Sequence, residues 1–175
     1  TENGKKVDTI IADGVRDFAM ILSDKFEVIS EKINDTTISY YYFDDKNPEQ
    51  SLKASVDSIK TFSNLYGLYP YKTLSVCESD FIYGGMEYPN LVFISTSQEN
   101  YEDYIYTIVH EIAHQWWYNL VGNNEYEYGF LDEGLTEYST YLFYDENKEY
   151  NMNTREMIKN TTNSYVTFVE IYNII

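Results

Sequence analysis

The chain has 175 residues, enough for one domain with a real core or for a sizeable part of something larger. Its 29 acidic residues against 12 basic ones leave a net charge of −17, which argues against nucleic acid or an anionic membrane as partner, since phosphate binding needs clustered Lys and Arg. The single cysteine, Cys77, excludes an internal disulfide and a cysteine-built metal clip.

In chain order, "VRDFAMIL" (15–22), "FEVIS" (26–30) and "TTISYYYF" (Thr36–Phe43) read as strands, rich in β-branched and aromatic residues and bounded by Asp, Lys and Asn. The period then changes. In "PEQSLKASVDSIKTFSNLYG" Leu52, Val56, Ile59, Phe62 and Tyr66 recur at three or four, and Gly67 stands where a helix ends. "LYPYK" is a turn. "TLSVCES" and "NLVFIST" read as strands on either side of the Gly-rich loop "DFIYGGMEYP". A helix follows from about Tyr101 to Val121, closed by Gly122. After the loop "NNEYEYG" come a second helix, "FLDEGLTEYSTYLFYDEN", and a third, "NTREMIKNTTNSYVTFVEIYN". Strands first and helices after predict an α+β arrangement, a mixed sheet packed on helices.

The helix containing "HEIAHQWW" has two sides. At one hundred degrees per residue, His110 and His114 lie nearly in line, while Ile105, Ile108, Val109, Ile112, Ala113, Trp116 and Leu120 gather on the far side. The apolar stripe buries the helix against a sheet and leaves both imidazoles, the only two in the chain, on a rigid support. An i, i+4 pair can close on one cation, with Cβ atoms roughly 5–6 Å apart. Glu111, a quarter turn round, is poorly placed to be a ligand and well placed to reach a water on the metal, which is the mechanical content of H-E-x-x-H. Catalytic zinc keeps three protein ligands and one open position. Glu133 supplies the third: eighteen residues separate it from His114, enough to finish one helix, turn and start the next. Glu137, one turn on, shares its face and could accept a hydrogen bond from a ligand histidine. Asp132 points off that face and is not included. Gly134 inside the second helix suggests a close crossing of the two helices, since Gly there costs about 1 kcal/mol relative to Ala.

"HEIAHQWW", then "DEGLTEY" eighteen residues on, resembles the gluzincin metallopeptidases and specifically the M1 aminopeptidase family. "GGMEYP", with twenty-two residues between its Glu87 and His110, is similar to that family's G-x-M-E-N exopeptidase motif, with Tyr88 in place of the Asn. The resemblance runs from about Thr36 onward. It implies a thermolysin-like catalytic domain over 36–175, incomplete at its carboxy end, with 1–35 ending an amino-terminal β domain. It further implies one Zn2+ held by His110, His114 and Glu133, and Glu111 as the base that takes a proton from zinc-bound water and delivers it to the leaving amine. Glu87 would hold the free α-amino group of a peptide substrate. Gly84 and Gly85 would let the substrate backbone pass close by, and "NLVFIST" would be the edge strand beside which it lies. The family's oxyanion-stabilising tyrosine lies farther on than the forty-two residues after Glu133, and neither Tyr165 nor Tyr172 matches a motif. The chain therefore reads as a segment of a longer protein whose amino- and carboxy-terminal domains are missing here, and either a cytoplasmic or a cell-surface setting is compatible with it. Two other readings stand beside this one. One is a thermolysin-like endopeptidase in which Glu87 anchors nothing. The other is a binding module without catalysis, whose structural zinc would need a fourth ligand, with Cys77 the sole candidate.

Overall fold

The computed structural model describes residues 4, 7–11 and 13–161. Five strands form one mixed sheet in the order β1-β2-β3-β5-β4: β1 Glu27–Ile33, β2 Thr36–Tyr42, β3 Thr73–Ser79, β4 Gly85–Met86 and β5 Leu91–Ser95. The β1–β2 hairpin turns at Asn34, whose φ of 52° suits an Asn, and the expected division between 35 and 36 falls at this turn. β2 and β3 are parallel, joined by α1 (Pro48–Tyr66), and β3 pairs parallel with β5. A single βαβ crossover thus interrupts the strands-then-helices order.

Pro48 starts α1, where its missing N–H is not needed, and Gly67 ends it at φ 108°, its N–H returning to Ser63 O. α2 (Tyr101–His114) is capped by Asn100, whose side chain accepts the Asp103 N–H at 2.9 Å, with Glu102 and Asp103 opposing the helix dipole. Its last turn widens into a π-helical segment, Gln115–Leu120. α3 (Glu125–Glu146) follows, with non-helical backbone at Tyr128.

One face of the sheet supplies Ile38, Tyr40, Leu74, Val76, Val92 and Ile94 to the core, and α1 adds Ala54, Ile59 and Phe62. From α2 come Ile105, Ile108, Val109, Ile112, Ala113 and Trp116, all buried as their spacing predicts; Leu120 is instead exposed. Burying an Ile such as Ile108 or Ile112 contributes about 1.5–3 kcal/mol, so this stripe fixes α2 firmly against the sheet.

Several expectations change. "VRDFAMIL" forms no strand. Its Arg16 instead donates to Tyr118 O at 2.9 Å and pairs with Glu125 at 3.1 Å, which ties the stretch to the connection between α2 and α3. "NNEYEYG" is not all loop, since α3 begins at Glu125. β5 is not the sheet edge: β4 covers it through Gly85↔Ile94 and Met86↔Phe93, a pairing two residues long and too short to leave a period in the sequence. Gly134 does not mark a close crossing, because a Cβ there would meet nothing within 4 Å. The buried face of α3 is instead small and polar, Thr136, Ser139 and Thr140, with Thr136 meeting His114 of α2 and Ser139 meeting Tyr66 of α1 and Trp117 of the π-helical segment. The third helix is present over 154–161, and the rest of that stretch, with Tyr165 and Tyr172, lies outside the described residues. No helix among the described residues is long and apolar enough to cross a membrane.

Candidate metal centre

α2 presents His110 and His114, and the antiparallel return of α3 brings Glu133 to them. The Nε2 atoms of the two imidazoles stand 3.3 Å apart, and Glu133 Oε2 lies 3.4 Å from His110 Nε2 and 3.7 Å from His114 Nε2. Atoms at 2.0–2.1 Å from a tetrahedral zinc would stand roughly 3.3–3.4 Å from one another, so the triangle fits such an ion. Two nitrogen lone pairs brought this close call for a cation or a proton between them. His114 is buried, whereas the Glu133 side chain is 65% exposed, so the cluster opens to solvent on the carboxylate side.

Both outer nitrogens face carboxylates. His114 Nδ1 meets Asp132 Oδ1 at 2.7 Å and the Thr136 hydroxyl at 3.1 Å. His110 Nδ1 lies 3.3 Å from Glu137 Oε2, off the line of a good hydrogen bond. Glu137 in turn accepts hydrogen bonds from the hydroxyls of Tyr106 and Tyr141, the latter at 2.6 Å. With the His114 Nδ1 proton directed at Asp132, its Nε2 lone pair is free to converge with that of His110 on a cation. Asp132 lies off the face that Glu133 and Glu137 share, so the pattern that marks the ligand does not mark its support. Asp132, Thr136, Ser139, Thr140 and Phe143 recur at three and four, and that period, read without regard to polarity, marks the buried face of α3.

The electrostatics follow the same layout. Burial works against a charged His110, but the nearby carboxylates of Glu133 and Glu137 and the charge of Glu111 outweigh it and push the imidazole up to about 10. His114 is raised too, burial being outweighed chiefly by Asp132. Burial would raise Glu137, yet His110 and the two tyrosines hold it down at about 2. Glu133 is lowered, first by its hydrogen bond to His110. The surroundings of the Nε2 atoms thus favour positive charge.

Glu111 and Glu87 flank the cluster. Ligand-type atoms of Glu87, Glu111 and His114 all lie within 4.8 Å of one another. Burial raises Glu111 to about 7 in spite of both imidazoles, and its Oε2 has no hydrogen-bond partner. Burial also raises Glu87, against the lowering effect of His114. β4 passes directly over Glu111, and a Cβ built on Gly85 would run into that carboxylate. The Gly84 carbonyl is turned inward, accepting Ser95 N–H at 2.9 Å and the Gln98 amide at 3.0 Å. His110, His114, Glu133, Glu111, Glu87, Gly85 and Glu137 are therefore brought together, with Gly84 one residue outside.

Residues 50–170 match the peptidase family M1 domain. Leucine aminopeptidase 2-1 of Meyerozyma guilliermondii is 46% identical over 68 residues, covering 36% of this chain and 10% of its own length. Leucine aminopeptidase 2 of Sclerotinia sclerotiorum is 40% identical over 80 residues, 41% of this chain and 12% of its own. The matched stretch thus spans about a tenth of these relatives. An M1 zinc metallopeptidase from Deinococcus radiodurans shares the fold, with a TM-score of 0.60 at 17% identity over 77% of this chain and 31% of its own.

Proposed function

This chain belongs to peptidase family M1, and from that membership and the geometry above we propose that it carries the catalytic centre of a zinc aminopeptidase, which removes amino-terminal residues from peptides. The observation that carries the reading is the triangle of His110 Nε2, His114 Nε2 and Glu133 Oε2, with the buried carboxyl of Glu111 and the half-buried carboxyl of Glu87 beside it.

His110, His114 and Glu133 would hold one zinc, which when bound supplies a Lewis acid and a water acidic enough to ionise near neutral pH. Asp132 keeps the His114 Nδ1 proton in place and so fixes the direction in which that ring donates, while the Glu137 carboxylate faces His110 Nδ1 at 3.3 Å. Glu111 takes a proton from the attacking water and returns it to the departing amine. A carboxyl raised toward neutrality by burial suits both halves of that transfer. Glu87 offers an anion to the substrate's ammonium, so that cleavage is counted from the amino terminus. Gly85 lets the β4 backbone, and a peptide lying along it, approach Glu111 closely. Among the described residues none is assigned the role of oxyanion donor.

The test is made on the full-length protein. Metal analysis should give one zinc per chain, and peptides with a free amino terminus should be cleaved far faster than their N-acetylated forms. Glu87→Ala should remove that preference while leaving the zinc in place. Equal cleavage of the free and N-acetylated peptides by the parent would assign the site to endopeptidase chemistry, an unchanged preference in Glu87→Ala would move the amine anchor away from Glu87, and a metal-free, inactive protein would leave only a binding module.

A further inference from the structure

The distance between the amine anchor and the reacting centre has to be kept short and constant, because only two bonds separate a peptide's α-amino nitrogen from its first carbonyl carbon. An error of 1 Å in such positioning can cost on the order of 100-fold in rate. Glu87 sits on an irregular stretch between β3 and β5, and only Gly85–Met86 of that stretch are in a strand. Its outer part is uncovered, with Ile82 and Tyr83 exposed. Something must therefore key the inner part to α2, which carries His110, Glu111 and His114.

We propose that Gln115 is that key: a positioning residue that latches the Glu87–Asn90 backbone to the helix bearing the metal ligands, and so sets the reach of the amine anchor. The inference rests on reading Glu87 as that anchor. Gln115 follows His114 directly and opens the π-helical segment; it is fully buried. Its Oε1 accepts the Asn90 N–H at 2.9 Å, and its Nε2 donates to Tyr88 O at 3.1 Å, with a longer contact to Glu87 O at 3.5 Å. Both ends of the amide are thus engaged, one on a donor and one on acceptors, which neither a carboxylate nor an alkyl chain can reproduce. Asn119 Nδ2 lies 3.5 Å from the same Oε1, on the acceptor side.

The far side of the loop is already pinned to the sheet. Asn90, at φ 62°, gives its carbonyl to Ser75 N at 2.8 Å and its side-chain oxygen to the Tyr69 hydroxyl at 3.2 Å. Gln115 completes the connection on the side of α2. Among the described residues no other side chain of α2 or of the π-helical segment has a hydrogen bond to the backbone of Glu87–Asn90. A purely structural amide would stabilise the loop without regard to the substrate's amine. A latch for Glu87 has a further signature, loss of discrimination with the metal retained.

The experiment compares full-length, zinc-loaded protein carrying Gln115→Leu, Gln115→Glu or Glu87→Ala with the parent. Three readouts are taken: zinc content, amide hydrogen exchange over 84–91, and kcat/KM on a peptide and on its analogue lacking the α-amine. Both Gln115 variants are expected to keep zinc, to exchange about tenfold or more faster over 86–91, and to lose about 10–100-fold in kcat/KM on the free-amine peptide alone. Unchanged exchange in the folded variants overturns the latch. So does faster exchange with zinc lost, or with intact discrimination that Glu87→Ala abolishes. Faster exchange with discrimination insensitive to Glu87→Ala as well would uphold the latch and overturn instead the reading of Glu87.

Discussion

Replacing Asp132 with Ala tests how far the support behind a ligand governs metal affinity. Asp132 and His114 are both buried, and the Asp132 Oδ1 to His114 Nδ1 contact is 2.7 Å. Removing such a partner typically weakens metal binding 10–100-fold, or roughly 1.4–2.7 kcal/mol at about 1.4 kcal/mol per tenfold. The Thr136 hydroxyl, 3.1 Å from the same nitrogen, can take over part of the interaction. The expected loss in Asp132→Ala is therefore nearer tenfold, and the double variant with Thr136→Val should approach 100-fold. Zinc affinity is measured by competition with a chelating dye, with circular dichroism confirming that the fold is kept. A folded Asp132→Ala that binds zinc within about twofold of the parent would refute the idea that this carboxylate directs the ring.

Three further outcomes follow from the same geometry. Glu111→Gln should retain zinc and lose turnover by about 100-fold or more in a steady-state peptide assay, since it removes the proton carrier without touching a ligand. Ser139→Ala should lower unfolding free energy by about 1–3 kcal/mol in urea titration, because the Ser139 hydroxyl is the partner of Trp117 Nε1 at 2.7 Å and of the Tyr66 hydroxyl at 2.8 Å. Cys77 is buried, which pushes its thiol up to about 12; at pH 8 it stays protonated and should react with a thiol-specific reagent slowly in native protein and promptly once unfolded.

The parts of the fold legible in the sequence are those set by local period and capping. Val56, Ile59 and Phe62, closed by Gly67, gave α1, and the stripe from Ile105 to Trp116 placed both histidines on the side away from the core. The eighteen-residue return to Glu133 was legible because a helical hairpin leaves few other ways back. What was hidden depends on contacts between distant segments. The buried face of α3 is small and polar, stabilised by hydrogen bonds across to α1 and the π-helical segment, so apolarity did not reveal it. Asp132 went with that face. "VRDFAMIL" has the composition of a strand but no partner strand, and its conformation is set by Arg16 reaching residues more than one hundred positions away. Gln115 reads as an ordinary polar residue until the loop before β5 is folded back against it.

The account stands on a single metal shared by two helices, and X-ray absorption at the zinc edge of the full-length protein examines it most directly. The predicted spectrum has two imidazole nitrogens with the remaining ligands oxygen, all at about 2.0–2.2 Å, and Glu133→Ala lowers zinc affinity by at least about 100-fold. A sulfur neighbour at about 2.3 Å, or a spectrum indifferent to the loss of His110, would contradict it.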